Sequence, residues 1–297
     1  MISNMRIIIT GSESFVGKEL ISQLKLENVK IIGFDYASSE HPEYEFHRID
    51  IRDPQIQQLI PEDTDVLIHL AALSRDSDCK RKALECFDIN VMGTLNLIRA
   101  ASIKRVKQFI FASSEWVYDE FKADDEKDED SYINAANLDS EYAFSKLVSE
   151  INLRQQYKNG FCNVTVLRFG IIYGPRKSNW SAVESIFNGV RNKPGITIGS
   201  LKTGRRFVHV SDIARGIIMS IGLKGFNIIN LTSNKIITLQ DIIEASQKIL
   251  NKSARVIETN PSQVSLRNPS NSKAKKILDW APKIDLETGL RTLLDYV

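Results

Sequence analysis

The chain has 297 residues, 42% hydrophobic and 26% charged, the proportions of an ordinary globular protein with room for one large domain and a smaller lobe. With 39 basic against 37 acidic side chains its net charge is +2, which excludes a strongly basic face for nucleic acid or an anionic membrane. No stretch approaches membrane-spanning length, the N-terminal run lacks a small-residue cleavage site, and Cys79, Cys86 and Cys162 offer neither metal spacing nor a disulfide framework. No signal peptide and no metal site are therefore expected, and a reducing cytoplasm is the expected compartment.

The first half alternates short β-branched runs with longer helical patterns, the signature of a parallel doubly wound sheet. Residues 6–10 read as strand one, 15–26 as the helix after it, 29–34 as strand two and 46–49 as a short third strand. Residues 65–70 read as a buried fourth strand, followed by one long helical pattern over about 78–101. Strand five is expected at 108–112, a helix at 141–157 and strand six at 164–169. These strands are near-continuous apolar runs, as burial on both faces requires. Between them, the segment 119–130 is dense in Asp and Glu and reads as a solvated loop. From Gly170 the pattern becomes irregular, with Tyr173-Gly174-Pro175 as a turn and Gly195, Gly199 and Gly204 as punctuation. Helices are expected at 210–221, 239–250, 272–278 and 286–294, and a strand at 227–231. The fold class is thus α/β: a Rossmann doubly wound parallel sheet (1–168 and 205–231) with a smaller mixed α/β C-terminal lobe (169–204 and 232–297).

Strand one runs into Thr10-Gly11-Ser12-Glu13-Ser14-Phe15-Val16-Gly17 and directly into a helix. Such a turn brings backbone close to a pyrophosphate resting on the helix N-terminus, so Gly11, Ser14, Phe15 and Val16 are candidate dinucleotide contacts. Ser14 stands where the middle glycine of this pattern belongs, and a Cβ there would crowd the phosphates. Asp35, at the end of strand two, is placed to accept both adenosine ribose hydroxyls and to repel a 2′-phosphate. Asp50 and Ile51, after strand three, are candidates to hold adenine. Together they favour NAD over NADP.

Tyr142-Ala143-Phe144-Ser145-Lys146 opens a helix, and the spacing of four puts Tyr142 and Lys146 on one face. An ammonium beside a phenol favours the phenolate, which takes a proton from a hydroxyl as hydride leaves the same carbon. Ser114, past the end of strand five, adds a hydroxyl at the edge of the sheet where such folds bind ligands.

Ordered segments along nearly the whole chain resemble the extended short-chain dehydrogenase/reductases, in particular the nucleotide-sugar epimerase/dehydratase family. They are the glycine loop; Ile68-His69-Leu70-Ala71-Ala72; Asn90-Val91-Met92-Gly93-Thr94; Ser113-Ser114 with Val117-Tyr118; Tyr142 with Lys146; Leu167-Arg168 with Tyr173-Gly174-Pro175; Arg205 with Asp212; and Ser272-Lys273-Ala274 with Leu278-Asp279-Trp280-Ala281-Pro282. The resemblance implies an NAD-binding Rossmann domain and a substrate-binding lobe, with Ser114, Tyr142 and Lys146 catalytic. It also implies that Leu70, Ala71 and Ala72 line the cofactor cleft, that Asn90 sits near the nicotinamide, and that Tyr142 and Lys146 touch the cofactor as well. Arg205, Arg267 and Arg176 become candidates for the substrate diphosphate, since a guanidinium fork binds phosphate oxygens bidentately. His69 and His209 read as structural. A homodimer is implied, paired through the helices near 78–101 and 141–157.

Four positions depart from the family pattern: Ser14; Ile171, where many members carry asparagine; Asp119 after Val-Tyr; and 137–141, which lacks prolines. A 4,6-dehydratase of the family needs two acids after its Thr or Ser, and this chain has Glu115 followed by Trp116, which has no proton chemistry. Glu115 then contacts the sugar or sits at the pocket edge. The leading expectation is an NAD-dependent epimerase acting at C4 of a nucleotide-linked hexose. A reductase of a nucleotide-linked 4-keto-6-deoxy sugar shares the same residues but usually takes NADPH, against which Asp35 speaks. A non-catalytic nucleotide-binding protein is the alternative from another class.

Overall fold

The computed structural model describes residues 2–39, 43–122 and 125–296. The chain divides into two compact units, each assembled from three stretches. The first comprises Met1–Glu120, Tyr132–Arg168 and Ala214–Ile229; the second comprises Phe121–Ser131, Phe169–Ile213 and Asn230–Val297.

The first unit is built on a sheet of seven strands. Six are β1 (Arg6–Thr10), β2 (Lys30–Asp35), β3 (Glu45–Arg48), β4 (Val66–His69), β5 (Gln108–Ser114) and β6 (Asn163–Phe169). The seventh is Phe226–Leu231, and the order across the sheet is Phe226–Leu231, β6, β5, β4, β1, β2, β3. The pairs β1–β2, β1–β4, β2–β3 and β4–β5 are all parallel. β1 sits between β2 and β4 with Ile8 opposite Ile32 on one side and Leu67 on the other. These residues are buried and join Phe34, Leu97, Phe109, Phe111, Val164 and Val166 in one core. β-branched and aromatic side chains fill a sheet covered on both faces, which is why the sequence reads as unbroken apolar runs. Because the order reverses between β1 and β4, the loops leaving their carboxyl ends diverge and open a crevice there.

The expected continuous helix over 78–101 is corrected: it is four pieces. Asp76–Cys79 and Ala83–Phe87 are short helices, Asp88–Met92 is a π-helical turn, and only Gly93–Ile103 is a regular α-helix. Arg81, with φ of 61°, breaks the first two apart, since a left-handed residue cannot propagate a right-handed helix. Cys79 and Cys86 are joined by a disulfide across that break, a pairing that the count of three cysteines did not suggest. Cys162 is the free thiol.

The second unit has its own core around Tyr173, Phe187, Phe207, Ile242, Ile243 and Leu290. Helices Ala182–Asn192 and Leu239–Leu250 begin with capping boxes, Ser181 with Glu184 and Thr238 with Asp241, which satisfy backbone amides that have no partner within the helix. The acidic segment is a loop, as expected, with most of its described residues exposed or half-buried (residues 123 and 124 lie outside the described residues), but it is tied down at two points. The buried Glu129 carboxylate accepts from the Asn230 amide at 2.6 Å, and Glu126 pairs with Arg206 at 3.3 Å. The segment is anchored, and its charges are partly structural. No helix among the described residues is long and apolar enough to cross a membrane.

Candidate active site

The glycine turn after β1 is shaped by close approach of backbone. Gly11 has φ of +73°, and a Cβ there would stand 2.8 Å from the Ala71 amide nitrogen. Gly17 faces back onto the same turn, where a Cβ would lie 2.2 Å from the Gly11 carbonyl oxygen. Both positions therefore demand glycine for space, and Gly11 for conformation as well. Ser14 does not: its backbone is extended, and its hydroxyl caps helix Phe15–Leu24 by accepting from the Gly17 amide at 3.1 Å. The departure from the glycine pattern is thus a conventional N-cap, and Phe15 and Val16 form the first turn of that helix.

At the end of β2, the Asp35 carboxylate accepts from the backbone amides of Glu13 (2.8 Å) and Ala37 (2.9 Å). Each carboxylate oxygen has two lone pairs, so this fixes the group while leaving acceptor capacity for the two hydroxyls of a ribose. The cradle at Gly11 and Gly17, together with the acid at Asp35, fits NAD. Asp50 and Ile51 follow the third strand and are held by neighbours on the same unit. Asp50 pairs with Arg52 at 2.6 Å, which also reaches Asp88 at 2.7 Å. Ile51 is buried against Gly93, where a Cβ would come within 2.6 Å of its Cδ1. These two residues tie the end of β3 to the helix at Gly93.

The segment after β4 is held by hydrogen bonds at its base. The Leu70 and Ala71 amides donate to the carbonyl (3.0 Å) and the hydroxyl (3.3 Å) of Thr10, respectively. His69, wholly buried, bridges the hydroxyls of Thr10 (2.8 Å) and Thr94 (2.9 Å), and burial pushes its pKa down to about 3. It is a neutral structural histidine, as its place in the strand suggested. The Asn90 side chain is also directed inward: it accepts from the Leu73 amide at 2.8 Å and donates to the Leu73 carbonyl at 3.0 Å and to Ser145 Oγ at 3.0 Å. These bonds fix the wall that continues from Leu70, Ala71 and Ala72.

Ser114 is the last residue of β5, and the buried Tyr142 and Lys146 lie on helix Glu141–Lys158. The helix is started by Ser140, whose hydroxyl accepts from the Ala143 amide. The Ser114 hydroxyl hydrogen-bonds the Tyr142 phenol. Lys146 Nζ donates to the Ala112 carbonyl at 2.8 Å and lies 4.9 Å from the centroid of the Phe111 ring and 5.9 Å from that of Tyr142. Burial raises the Tyr142 pKa to about 12, an effect that the Ser114 bond opposes. Burial lowers that of Lys146 to about 8, which the charge of Glu150 opposes. In the protein alone desolvation wins, because the ammonium is aimed at a carbonyl.

Sequence reasoning overlooked one buried residue beneath this set. Glu150, one helical turn beyond Lys146, accepts from Ser113 Oγ at 2.5 Å and takes a two-pronged ion pair from Arg168 at 3.1 and 2.7 Å. The spacing of four from Lys146 was the available signal. Glu115 is buried in the turn after β5, and Trp116 packs with Leu73 against Tyr142 and the bridged Cys79 and Cys86.

The remaining candidates belong to the second unit. Arg205 donates to the Gly204 and Ser265 carbonyls and to Ser265 Oγ. The Arg267 amide donates to the Gly204 carbonyl at 3.2 Å, and its guanidinium lies 5.0 Å over the Phe121 ring. The two arginines are therefore brought together at Gly204. Arg176 is placed elsewhere, in an ion pair with the buried Glu184 at 2.7 Å. His209 stacks edgewise on Tyr173 and hydrogen-bonds Thr292.

Comparison with known proteins gives the family. A putative UDP-glucose 4-epimerase of Methanocaldococcus jannaschii is 27% identical, the match covering 98% of each chain. A UDP-glucuronic acid decarboxylase of Arabidopsis thaliana is 25% identical, over 97% of this chain and 87% of the relative. The crystal structure of a UDP-glucose 4-epimerase from Thermotoga maritima with UDP-glucose superposes with a TM-score of 0.88 at 23% identity, over 98% of both chains. Residues 7–231 match the NAD dependent epimerase/dehydratase family, and the chain belongs to that family of enzymes, with NAD as its cofactor.

Proposed function

We propose that the chain is an epimerase that inverts C4 of a nucleotide-diphosphate hexose, with Ser114, Tyr142 and Lys146 as its catalytic residues. One observation carries the reading: the three buried side chains stand together at the carboxyl end of β5, with Trp116 where a dehydratase requires a second acid. NAD, when bound, would supply the hydride acceptor and donor that the inversion needs. Tyr142 removes the proton of the C4 hydroxyl and gives it back after the sugar has turned its other face. Ser114 orients that hydroxyl and passes the proton. Lys146 anchors the nicotinamide ribose, and its charge adds to that of the oxidised ring to make the phenol ionise near neutral pH. Gly11, Ser14, Phe15 and Val16 hold the pyrophosphate, Asp35 the adenosine ribose, and Leu70, Ala71 and Ala72 the cleft wall. Arg205 and Arg267 grip the substrate diphosphate, Glu115 contacts the sugar, and Arg176 supports the lobe through Glu184.

The same chain is read as a homodimer. Leu84, Met92, Phe144 and Ile151 are exposed large apolar residues on the helices expected to pair, a surface of the kind that marks an interface. Light scattering should give twice the chain mass, and Ile151→Glu should give the monomer; a monomeric parent removes the proposal.

The deciding experiment has two stages. The purified protein is first denatured, and the released nucleotide is identified by mass spectrometry. Intact enzyme without added cofactor then meets UDP-, dTDP- and GDP-hexoses. Bound NAD with a stereoisomeric product of unchanged mass supports the epimerase. Turnover only of 4-keto sugars with added reductant would instead identify a reductase.

A further inference from the structure

Lys146 needs a positive charge to serve the chemistry proposed above, yet its surroundings oppose one. It is buried, and every group packed around it bears on its protonation. On its own helix stand Tyr142 and Glu150, from β4 comes His69, and from β6 comes Arg168, whose guanidinium lies 4.8 Å over the Tyr118 ring. His69 is neutral, Arg168 is a second buried cation, and Glu115 lies in the turn after β5. The field of Glu150 reaches Lys146 and opposes the loss of its charge.

We propose that Glu150 is a positioning residue: Arg168 and Ser113 pin its carboxylate one turn from Lys146, so that it supplies charge balance while the ammonium stays directed at the Ala112 carbonyl beside Tyr142. The inference rests on Lys146 acting as the proposed function states. A glutamate four residues after a lysine normally closes on it directly. Here both carboxylate oxygens are occupied by the Arg168 fork, and one of them also by Ser113. A direct pair would draw Nζ away from Ala112 and from the phenol. Pinned as it is, the anion acts through its field across a buried, low-dielectric gap. An anion beside two buried cations offsets by its attraction part of the desolvation penalty that each cation would otherwise carry uncompensated. Ser113 is also the residue before Ser114, so the pin holds the strand end that presents the catalytic hydroxyl.

The test uses full-length protein carrying lysines labelled with carbon-13 at Cε, with the Lys146 resonance assigned through Lys146→Met. In Glu150→Gln the titration midpoint of Lys146 should fall by about one pH unit or more, a tenfold change in its proton affinity. The alkaline limb of the kcat profile should move down by the same amount while KM for the sugar nucleotide stays put, and Glu150→Asp should restore most of both shifts. If Glu150→Gln does not fold, Ser113→Ala reports instead: loosening one pin lets the carboxylate approach Lys146 and raises the midpoint by about half a pH unit. A midpoint that stays where it is in the folded variant overturns the inference, whatever reaction the enzyme runs. A midpoint that moves while the kcat limb does not supports the electrostatic role of Glu150 and overturns the catalytic role given to Lys146.

Discussion

Replacing Gly17 with alanine tests whether the turn after β1 is shaped for a pyrophosphate by close backbone approach. The new Cβ would stand 2.2 Å from the Gly11 carbonyl oxygen, 2.8 Å from that of Ser12 and 2.9 Å from the Ser12 carbonyl carbon. All three are backbone atoms, so no rotamer relieves the contact. Ordinary contact begins at 3.4 Å, so the Gly11 oxygen must recede by 3.4 − 2.2 = 1.2 Å, or the helix must shift as far. Overpacking of this kind costs about 1–3 kcal/mol, offset in part by the ~1 kcal/mol better helix propensity of alanine. The net loss, up to about 2 kcal/mol, should lower Tm by up to roughly 8 °C. Loss of one charge-assisted bond to phosphate, about 1.5–3 kcal/mol, should weaken NAD roughly 10- to 100-fold. Calorimetric unfolding and titration of nucleotide-free protein with NAD measure the two effects. Gly199, where a Cβ meets nothing within 4 Å, is the control and should tolerate alanine. A Gly17→Ala protein with parental Tm and parental NAD affinity would refute the reasoning.

Tyr142→Phe keeps the buried ring and removes the proton acceptor; turnover should fall by roughly 10²- to 10⁴-fold with NAD still released on denaturation, and near-parental turnover would rule out Tyr142 as base. Asp35→Ala removes the acceptor for the ribose hydroxyls, so NAD should weaken while NADP does not; an unchanged preference in competitive titration would contradict the role of Asp35. His69 has a folded pKa near 3, below its unfolded value near 6.5. Its contribution to stability is therefore complete above about pH 6.5 and is lost as pH falls toward 3, at roughly 1.4 kcal/mol per pH unit. Urea unfolding from pH 7 to 4 should show that slope, and His69→Gln should flatten it by about one proton; equal slopes in both proteins would mean that His69 does not titrate on unfolding.

The sheet was legible because its strands are buried on both faces, and such strands write themselves as unbroken runs, from Ile7-Ile8-Ile9 to Phe109-Ile110-Phe111. Asp35, Ser114 and Tyr142 were legible because each sits at a strand or helix end whose place in the fold is fixed by those runs. What escaped depends on partners distant in sequence. Two-residue strands such as Ile172–Tyr173 and Val208–His209 are too short for any periodicity and exist through pairing with each other. Arg168 reads as an odd charge in an apolar strand until Glu150 is seen against it. The hydrogen bonds that Leu73 and Ser145 share with the Asn90 side chain were likewise invisible in the sequence. The acidic run is the loop its composition suggests, but composition does not disclose that Glu129 meets the Asn230 amide.

The path of the chain has a consequence for synthesis. The chain passes from one unit to the other five times, and Phe226–Leu231 supplies an outermost strand of the sheet late in the sequence. A nascent chain therefore presents the bare edge of β6, with unpaired amides and carbonyls, for the whole interval in which residues 170–225 are made. Open edges of this kind recruit other chains. The enzyme is thus most exposed to aggregation on the ribosome rather than after release, and a fragment stopped before Phe226 would carry the complete catalytic set yet depend on chaperones to stay dispersed.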